Sequence, residues 1–321
     1  MSSFLENYAS NNVLDLIILP TEGCNFRCDY CYENFKIGRM KSEVVESIKK
    51  LISNRAKDLE YISLSWFGGE PLLASDIIID IMLYIKEIQM QNKKLIVASR
   101  ITTNGYLLSY NLFTKLVNLG VNEFQITFDG YKNEHDKLRH LANGGPSFDK
   151  IWNNLRTIHM SNLNFLITIR VHANSNNFNS ILNLLKFSKS VLNVDNRFQF
   201  FIRNLSRLGG EKDDDLPILD IKNEKEILNL LIQNASNLGL KIYTIDDNIH
   251  VCYAAKLNSF VIRADGRISK CTVDLYNDKN YIGKLNNDGS MNIDKEKLLW
   301  WSRGLFSENK QELLCPLNIK D

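Results

Sequence analysis

Three hundred and twenty-one residues fit one large α/β barrel or about two average domains. Hydrophobic residues make up 44% and charged residues 24%, enough apolar material for a sizeable core, while 5 Pro and 16 Gly exclude a collagen-like or low-complexity chain. Lys plus Arg (39) against Asp plus Glu (37) leaves +2, so no overall charge excess points to nucleic acid as a partner.

The first residues, Met1-Ser2-Ser3-Phe4-Leu5-Glu6, have neither a basic region nor an apolar one of the kind an export signal needs. The apolar run 13–19 is broken by Asp15, and nothing approaches the length of a membrane span. A cytoplasmic location with no membrane partner is the expectation. The six cysteines are then expected as thiols or metal ligands rather than disulfides.

In chain order, β-rich runs fall at 13–19, 61–66, 95–102, 123–128, 165–171 and 198–202. Helical periodicity follows each one, at 42–56, 75–91, 109–119, 147–160, 176–188 and 223–238. In the first helix Val44, Val45, Ile48, Leu51 and Ile52 share a face, and Ser42 is the expected N-cap. Six βα units predict an α/β fold, a partial (β/α)6 barrel of TIM type, because parallel strands need crossover helices. The barrel is expected over 1–239, with a core at about 12–205 and a linker and last helix at 206–239. Within that linker the acidic stretch 211–215 reads as solvated surface. Residues 240–321 are expected as a small C-terminal domain. They contain a hairpin over 260–271 turning at Asp265-Gly266 and a second pair at 281–285 and 290–293.

Barrel chemistry gathers at the C-terminal ends of the strands. There the chain carries Cys24, Cys28 and Cys31, then Gly68-Gly69-Glu70-Pro71, Thr103-Asn104-Gly105 and Asp129-Gly130. The three thiols lie within eight residues, and no histidine precedes His135 to complete a four-ligand zinc site. A [4Fe-4S] cluster held by three cysteines would leave one iron open.

The string Cys24-Asn25-Phe26-Arg27-Cys28-Asp29-Tyr30-Cys31 resembles the signature loop of the radical S-adenosylmethionine (SAM) superfamily, with Tyr30 in the aromatic position. Tyr32-Glu33 after it is similar to the peptide- and protein-modifying branch. The resemblance implies that the open iron binds SAM and that reductive cleavage yields a 5′-deoxyadenosyl radical that abstracts hydrogen. It implies that Gly68, Gly69, Glu70 and Pro71 hold the SAM amino group. It also implies that Thr127 reaches the cofactor and that Arg139 pairs with its carboxylate. Asn104 contacts ribose or caps a turn. His172 is a candidate base or a satisfied rim histidine.

After a gap of 220 residues come Cys252, Cys271 and Cys315. The pattern Cys252-x13-Gly266-x4-Cys271 resembles the opening of SPASM and twitch domains, which hold auxiliary iron–sulfur clusters. A full SPASM domain has seven cysteines, so the resemblance implies a shortened, twitch-like domain with one auxiliary cluster. One of the three could instead be a free thiol returning a hydrogen atom. Relatives that make formylglycine carry aspartate directly after a cluster cysteine; here Thr272 follows Cys271, and Asp274 is the nearest candidate.

The resulting expectation is a radical SAM peptide maturase that forms a thioether or carbon–carbon cross-link, or epimerises a residue. Its substrate is a peptide or protein, and flavodoxin or ferredoxin donates the electron. The alternatives are a radical enzyme acting on RNA or a small molecule, a formylglycine-forming sulfatase maturase, and a non-enzymatic iron–sulfur or zinc module.

Overall fold

The computed structural model describes residues 6, 8–193, 195–245 and 250–317. The chain divides into two compact units, one of 1–23, 35–99 and 245–321, the other of 24–34 and 100–244. The division expected at about residue 240 does not coincide with them. Among the described residues no helix is long and apolar enough to cross a membrane.

In the first unit, β1 (Val13–Thr21) and β2 (Tyr61–Gly68) run parallel, in register from Val13↔Tyr61 to Ile18↔Trp66. On the other side of β1 lies β7 (Ser259–Ile262), also parallel, with Asp15 opposite Ser259. The chain then meanders antiparallel through β8 (Arg267–Ser269), β9 (Tyr281–Leu285) and β10 (Met291–Ile293). Both expected hairpins form, and the first is bound to β1. Helices α1 (Ser42–Arg55) and α2 (Ser75–Gln91) bury Ile48, Ile52, Ile78, Ile81 and Ile85 completely, the i, i+3, i+4 spacing of an amphipathic face. Ser42 is not the cap of α1. Lys41 occupies that position in extended backbone with no side-chain cap bond, and the Ser42 backbone is already helical.

In the second unit, β4 (Val121–Phe128), β5 (Leu166–Ala173) and β6 (Phe198–Asn204) are parallel. β3 (Ile96–Thr103) has residues in both units. The helices are α3 (Tyr110–Asn118), α4 (Asn133–Leu138), α5 (Phe148–His159), α6 (Phe178–Leu192) and α7 (Ile221–Asn237). Helix α3 is capped by Ser109, whose hydroxyl accepts from the Leu112 amide at 3.3 Å. Helix α6 starts two residues later than its periodicity suggests, because Asn177 turns inward. Its amide donates to the carbonyls of Asp129 (2.9 Å) and His172 (2.8 Å), tying together the ends of β4 and β5. Phe128, Phe148 and Trp152 form the aromatic centre between strands and helices.

The first unit ends in three short helices that periodicity does not reveal: α8 (Lys295–Trp301), α9 (Arg303–Ser307) and α10 (Lys310–Leu314). Asp294 and Asn309 cap α8 and α10 with their side chains.

Candidate functional site

Cys24, Cys28 and Cys31 all lie in the second unit as partly buried thiols outside any disulfide. Their loop is stitched to the segment after α4: Arg27 N donates to His140 O and Asp29 N to Leu138 O, each at 3.0 Å, and Ala142 N to Asn25 O at 2.8 Å. The Phe26 amide points at Cys24 Sγ (3.3 Å), a contact that favours a thiolate. Burial pushes the Cys28 thiol up to about 12 and also raises Cys31, with nearby Arg139 acting in the opposite direction. Asn104 donates to Asn25 Oδ1 (2.8 Å) and accepts from the Tyr106 amide (3.0 Å), so it both caps its turn and holds the cysteine loop.

Beside the loop is a buried polar network. Tyr30 donates to Asp129 Oδ2 (2.8 Å), and Arg139 donates to the Tyr30 hydroxyl. Asp129 Oδ1 receives His172 Nδ1 at 3.0 Å. Burial alone would raise the Asp129 carboxyl, but the His172 hydrogen bond and the surrounding positive charge hold it below the usual range. Burial and the charge of Arg170 keep His172 low, hence neutral. Of the expected residues, Tyr30, Asn104, Arg139 and His172 are thus engaged with one another's neighbours, and Thr127 is buried on β4. His172 is buried with its Nδ1 bonded to Asp129.

The acidic linker is exposed yet not idle. Lys212 pairs with Asp29 at 2.6 Å, and a Cβ on Gly210 would meet the Cys31 carbonyl at 2.7 Å.

Gly68 through Pro71 belong to the first unit. A Cβ on Gly68 (φ +116°) would lie 2.2 Å from the Thr21 carbonyl, and one on Gly69 would lie 2.5 Å from that of Gly23. These glycines admit the segment that leads from β1 into Cys24. Glu70 is fully buried and its carboxylate accepts from the Leu72 amide (2.9 Å), capping a short 3-10 turn that begins at Pro71.

The same segment carries Glu22, which the sequence reading does not single out. Its carboxylate receives Arg263 Nε (3.1 Å) and Nη2 (2.5 Å), with both side chains 1% exposed, and Arg263 Nη1 reaches Leu275 O at 2.6 Å. The available signal is a charge interrupting the run Phe260-Val261-Ile262-Arg263-Ala264.

Cys252, Cys271 and Cys315 come together in the first unit, close enough that the charge of Cys271 and that of Cys315 act on Cys252. Burial pushes Cys252 up to about 11. The Cys252 amide donates to Leu313 O (2.8 Å), which draws the last helices onto the hairpin. Asn280 clamps the Cys271 turn: Oδ1 accepts from the Lys270 and Cys271 amides (2.9 and 2.8 Å), and Nδ2 donates to Cys271 O (2.8 Å) and Asp274 O (2.7 Å). The Val273 amide faces Cys271 Sγ at 3.4 Å. Burial raises the Asp274 carboxyl, and among the described residues its Oδ2 has no hydrogen-bond partner.

Among the described residues no three His, Cys, Asp or Glu side chains converge on a single metal ion. An iron–sulfur cluster does not ask for that, since each sulfur takes a different iron. Reduced, partly buried thiols with amides aimed at sulfur, their deprotonated form disfavoured by burial until iron offsets it, fit such a cluster at both places.

A model of the radical SAM superfamily matches residues 18–187. The chain is 30% identical over 285 residues to a cysteine-type anaerobic sulfatase-maturating enzyme of Clostridium novyi, covering 80% of this chain and 73% of that one. It is also 30% identical over 238 residues to a GTP 3′,8-cyclase of Campylobacter jejuni, covering 72% and 69%. Among solved structures, native anSMEcpe with bound AdoMet and a Cp18Cys peptide matches with a TM-score of 0.68 at 21% identity, over 89% of this chain and 80% of that one. Streptococcus suis SuiB bound to precursor peptide SuiA matches with a TM-score of 0.63 at 14% identity, over 94% and 68%. These structural likenesses carry the fold: α/β with a parallel sheet of the partial TIM-barrel type.

Proposed function

Because this chain belongs to the radical SAM superfamily, we propose that it modifies a peptide or protein by abstracting hydrogen from it. When bound, a [4Fe-4S] cluster and SAM supply, on one-electron reduction, the 5′-deoxyadenosyl radical that this chemistry requires. The chain's own part is to bind and orient. Cys24, Cys28 and Cys31 hold the cluster, and Gly68, Gly69, Glu70 and Pro71 hold the amino group of SAM. Tyr30, Asn104, Thr127 and Arg139 complete the cofactor's surroundings. The network through Asp129 and His172 keeps Tyr30 and Arg139 in place, and partial burial of the loop limits the access of water to the thiols.

The observation that carries the peptide reading is the second thiol set: Cys252, Cys271 and Cys315 brought together by a hairpin, an Asn280 clamp and a terminal helix. We assign it one auxiliary cluster, with 240–321 as its twitch-like segment and 1–239 as the barrel. The neighbours solved with peptides support the same substrate class. The reaction is cross-linking, thioether formation or epimerisation in the cytoplasm, with the electron drawn from flavodoxin or ferredoxin. Thr272 after Cys271 disfavours formylglycine formation, despite the likeness to the sulfatase-maturating enzyme.

The GTP 3′,8-cyclase relative favours a second reading, a small-molecule substrate. Incubation of the reconstituted enzyme and SAM with GTP, and separately mass spectrometry of a co-expressed precursor peptide, distinguishes the two. Loss of two hydrogens from the peptide, or deuterium uptake at one α-carbon with unchanged composition, supports the proposal. A rearranged nucleotide with an untouched peptide refutes it.

A further inference from the structure

The strands of the second unit present two unlike faces. Ile167, Ile169 and Val171 of β5 are fully buried on one face. The alternate residues carry polar groups, and parallel register aligns them across strands: Thr127 with Arg170 and Phe201, and His172 with Arg203. Arg170 and Arg203 are therefore diagonal neighbours on β5 and β6, beside the residue assigned to the cofactor.

Neither arginine's side chain is satisfied by the described residues. Among the described residues no hydrogen bond or ion pair reaches either side chain, and the buried Nε of Arg170 has no partner. Arg203 is exposed, and its guanidinium lies over the Phe201 ring at 5.4 Å. Asp129 acts on Arg170 but is already held by Tyr30 and His172. Burial, and then the charge of Arg203, weaken the hold of Arg170 on its proton, as a neighbouring like charge should. Keeping such a pair uncompensated is costly in the free protein and is relieved by an anion.

We propose that Arg170 and Arg203 form a binding site for a carboxylate of an acidic peptide substrate. Arg170 and Arg203 bring two positive charges against Asp129, and His172 adds none. That surplus matches one or two side-chain carboxylates and falls short of a nucleoside triphosphate. The planar guanidinium fork suits a carboxylate bidentately. The proposal rests on the peptide reading above and narrows it to peptides with Asp or Glu near the modified residue.

The test uses anaerobically reconstituted enzyme with SAM and a capped hexapeptide of alternating Ser and Glu, compared with the Gln version and with GTP. Calorimetry should show the Glu peptide binding at least about tenfold tighter than the Gln peptide. Both Arg170→Gln and Arg203→Gln should abolish that preference, and Arg170→Lys should keep part of it. Arg203 is exposed, so its variant remains informative if Arg170→Gln fails to fold. Equal binding of the two peptides, no binding of the Glu peptide at millimolar concentration, a Glu preference that survives in both variants, or GTP binding tighter than the Glu peptide overturns the assignment. 5′-Deoxyadenosine formed without peptide separates the outcomes. If it persists while the charge preference is missing, only the anion site fails; if it is missing, the reading beneath fails.

Discussion

Replacing Arg263 by Met would strand the Glu22 carboxylate in a site where both partners are 1% exposed. Two N–H donors to the carboxylate vanish together with the Arg263 contact to Leu275 O. Removing one member of a buried ion pair typically costs about 3–5 kcal/mol, because the remaining charge has no counter-ion. That is roughly a 10²- to 5 × 10³-fold fall in the ratio of folded to unfolded protein. Removing both charges, as in Glu22→Leu with Arg263→Met, should return most of the loss, to within about 1–2 kcal/mol of wild type. Urea unfolding of the iron-free protein measures it, with tryptophan emission as the probe, since Trp66, Trp300 and Trp301 all lie in the same unit as the pair. A single variant that loses under about 1 kcal/mol, or a double variant no more stable than the single, refutes the reasoning.

Three further outcomes are expected. Gly69→Ala, whose Cβ would meet a backbone carbonyl at 2.5 Å, should destabilise the iron-free protein by several kcal/mol in the same assay. Gly144→Ala, with φ +80° but nothing within 4 Å, should cost only about 1 kcal/mol. His135 should make stability fall with acid: burial pushes it from 6.5 down to about 3, and its Nδ1 accepts from the Asp129 amide at 3.4 Å. The unfolded chain takes up the proton first, so stability present at neutral pH drains away as pH falls from about 6.5 towards 3, by at most about 4–5 kcal/mol. Unfolding followed through Trp152 at several pH values should show this slope flattened in His135→Gln. Finally, Cys252→Ala with Cys271→Ala should lower bound iron by about four atoms per chain, read by iron and sulfide analysis, while 5′-deoxyadenosine formation persists; unchanged iron content contradicts the auxiliary cluster.

What was legible in the sequence is local. The six strands and their helices repeat a strong apolar periodicity, and the Asp265-Gly266 turn announces its hairpin, so these elements appear within a few residues of their expected ends. The cysteine spacings and Gly68 through Pro71 are contiguous signals of the same kind. Long-range features were hidden. Nothing near Ser259 tells that β7 lies parallel to β1, because that pairing joins residues more than 240 positions apart. Glu22 and Arg263 look like ordinary surface charges until the fold closes over them, and Asp129 looks like a turn residue rather than the acceptor shared by Tyr30 and His172. Short elements such as α4 and α8 to α10 span too few turns to show a period; their stops are set by caps and tertiary contacts. Ser42 fails as a cap for a related reason, since cap choice turns on the backbone angles of Lys41.

The most direct measurement is 5′-deoxyadenosine released from SAM by dithionite-reduced, anaerobically reconstituted protein, wild type beside Cys28→Ala. The account predicts release by the wild type and none by the variant, together with a loss of about four iron atoms per chain. Release undiminished in Cys28→Ala, or a wild-type protein that takes up zinc but no iron and sulfide, would contradict it.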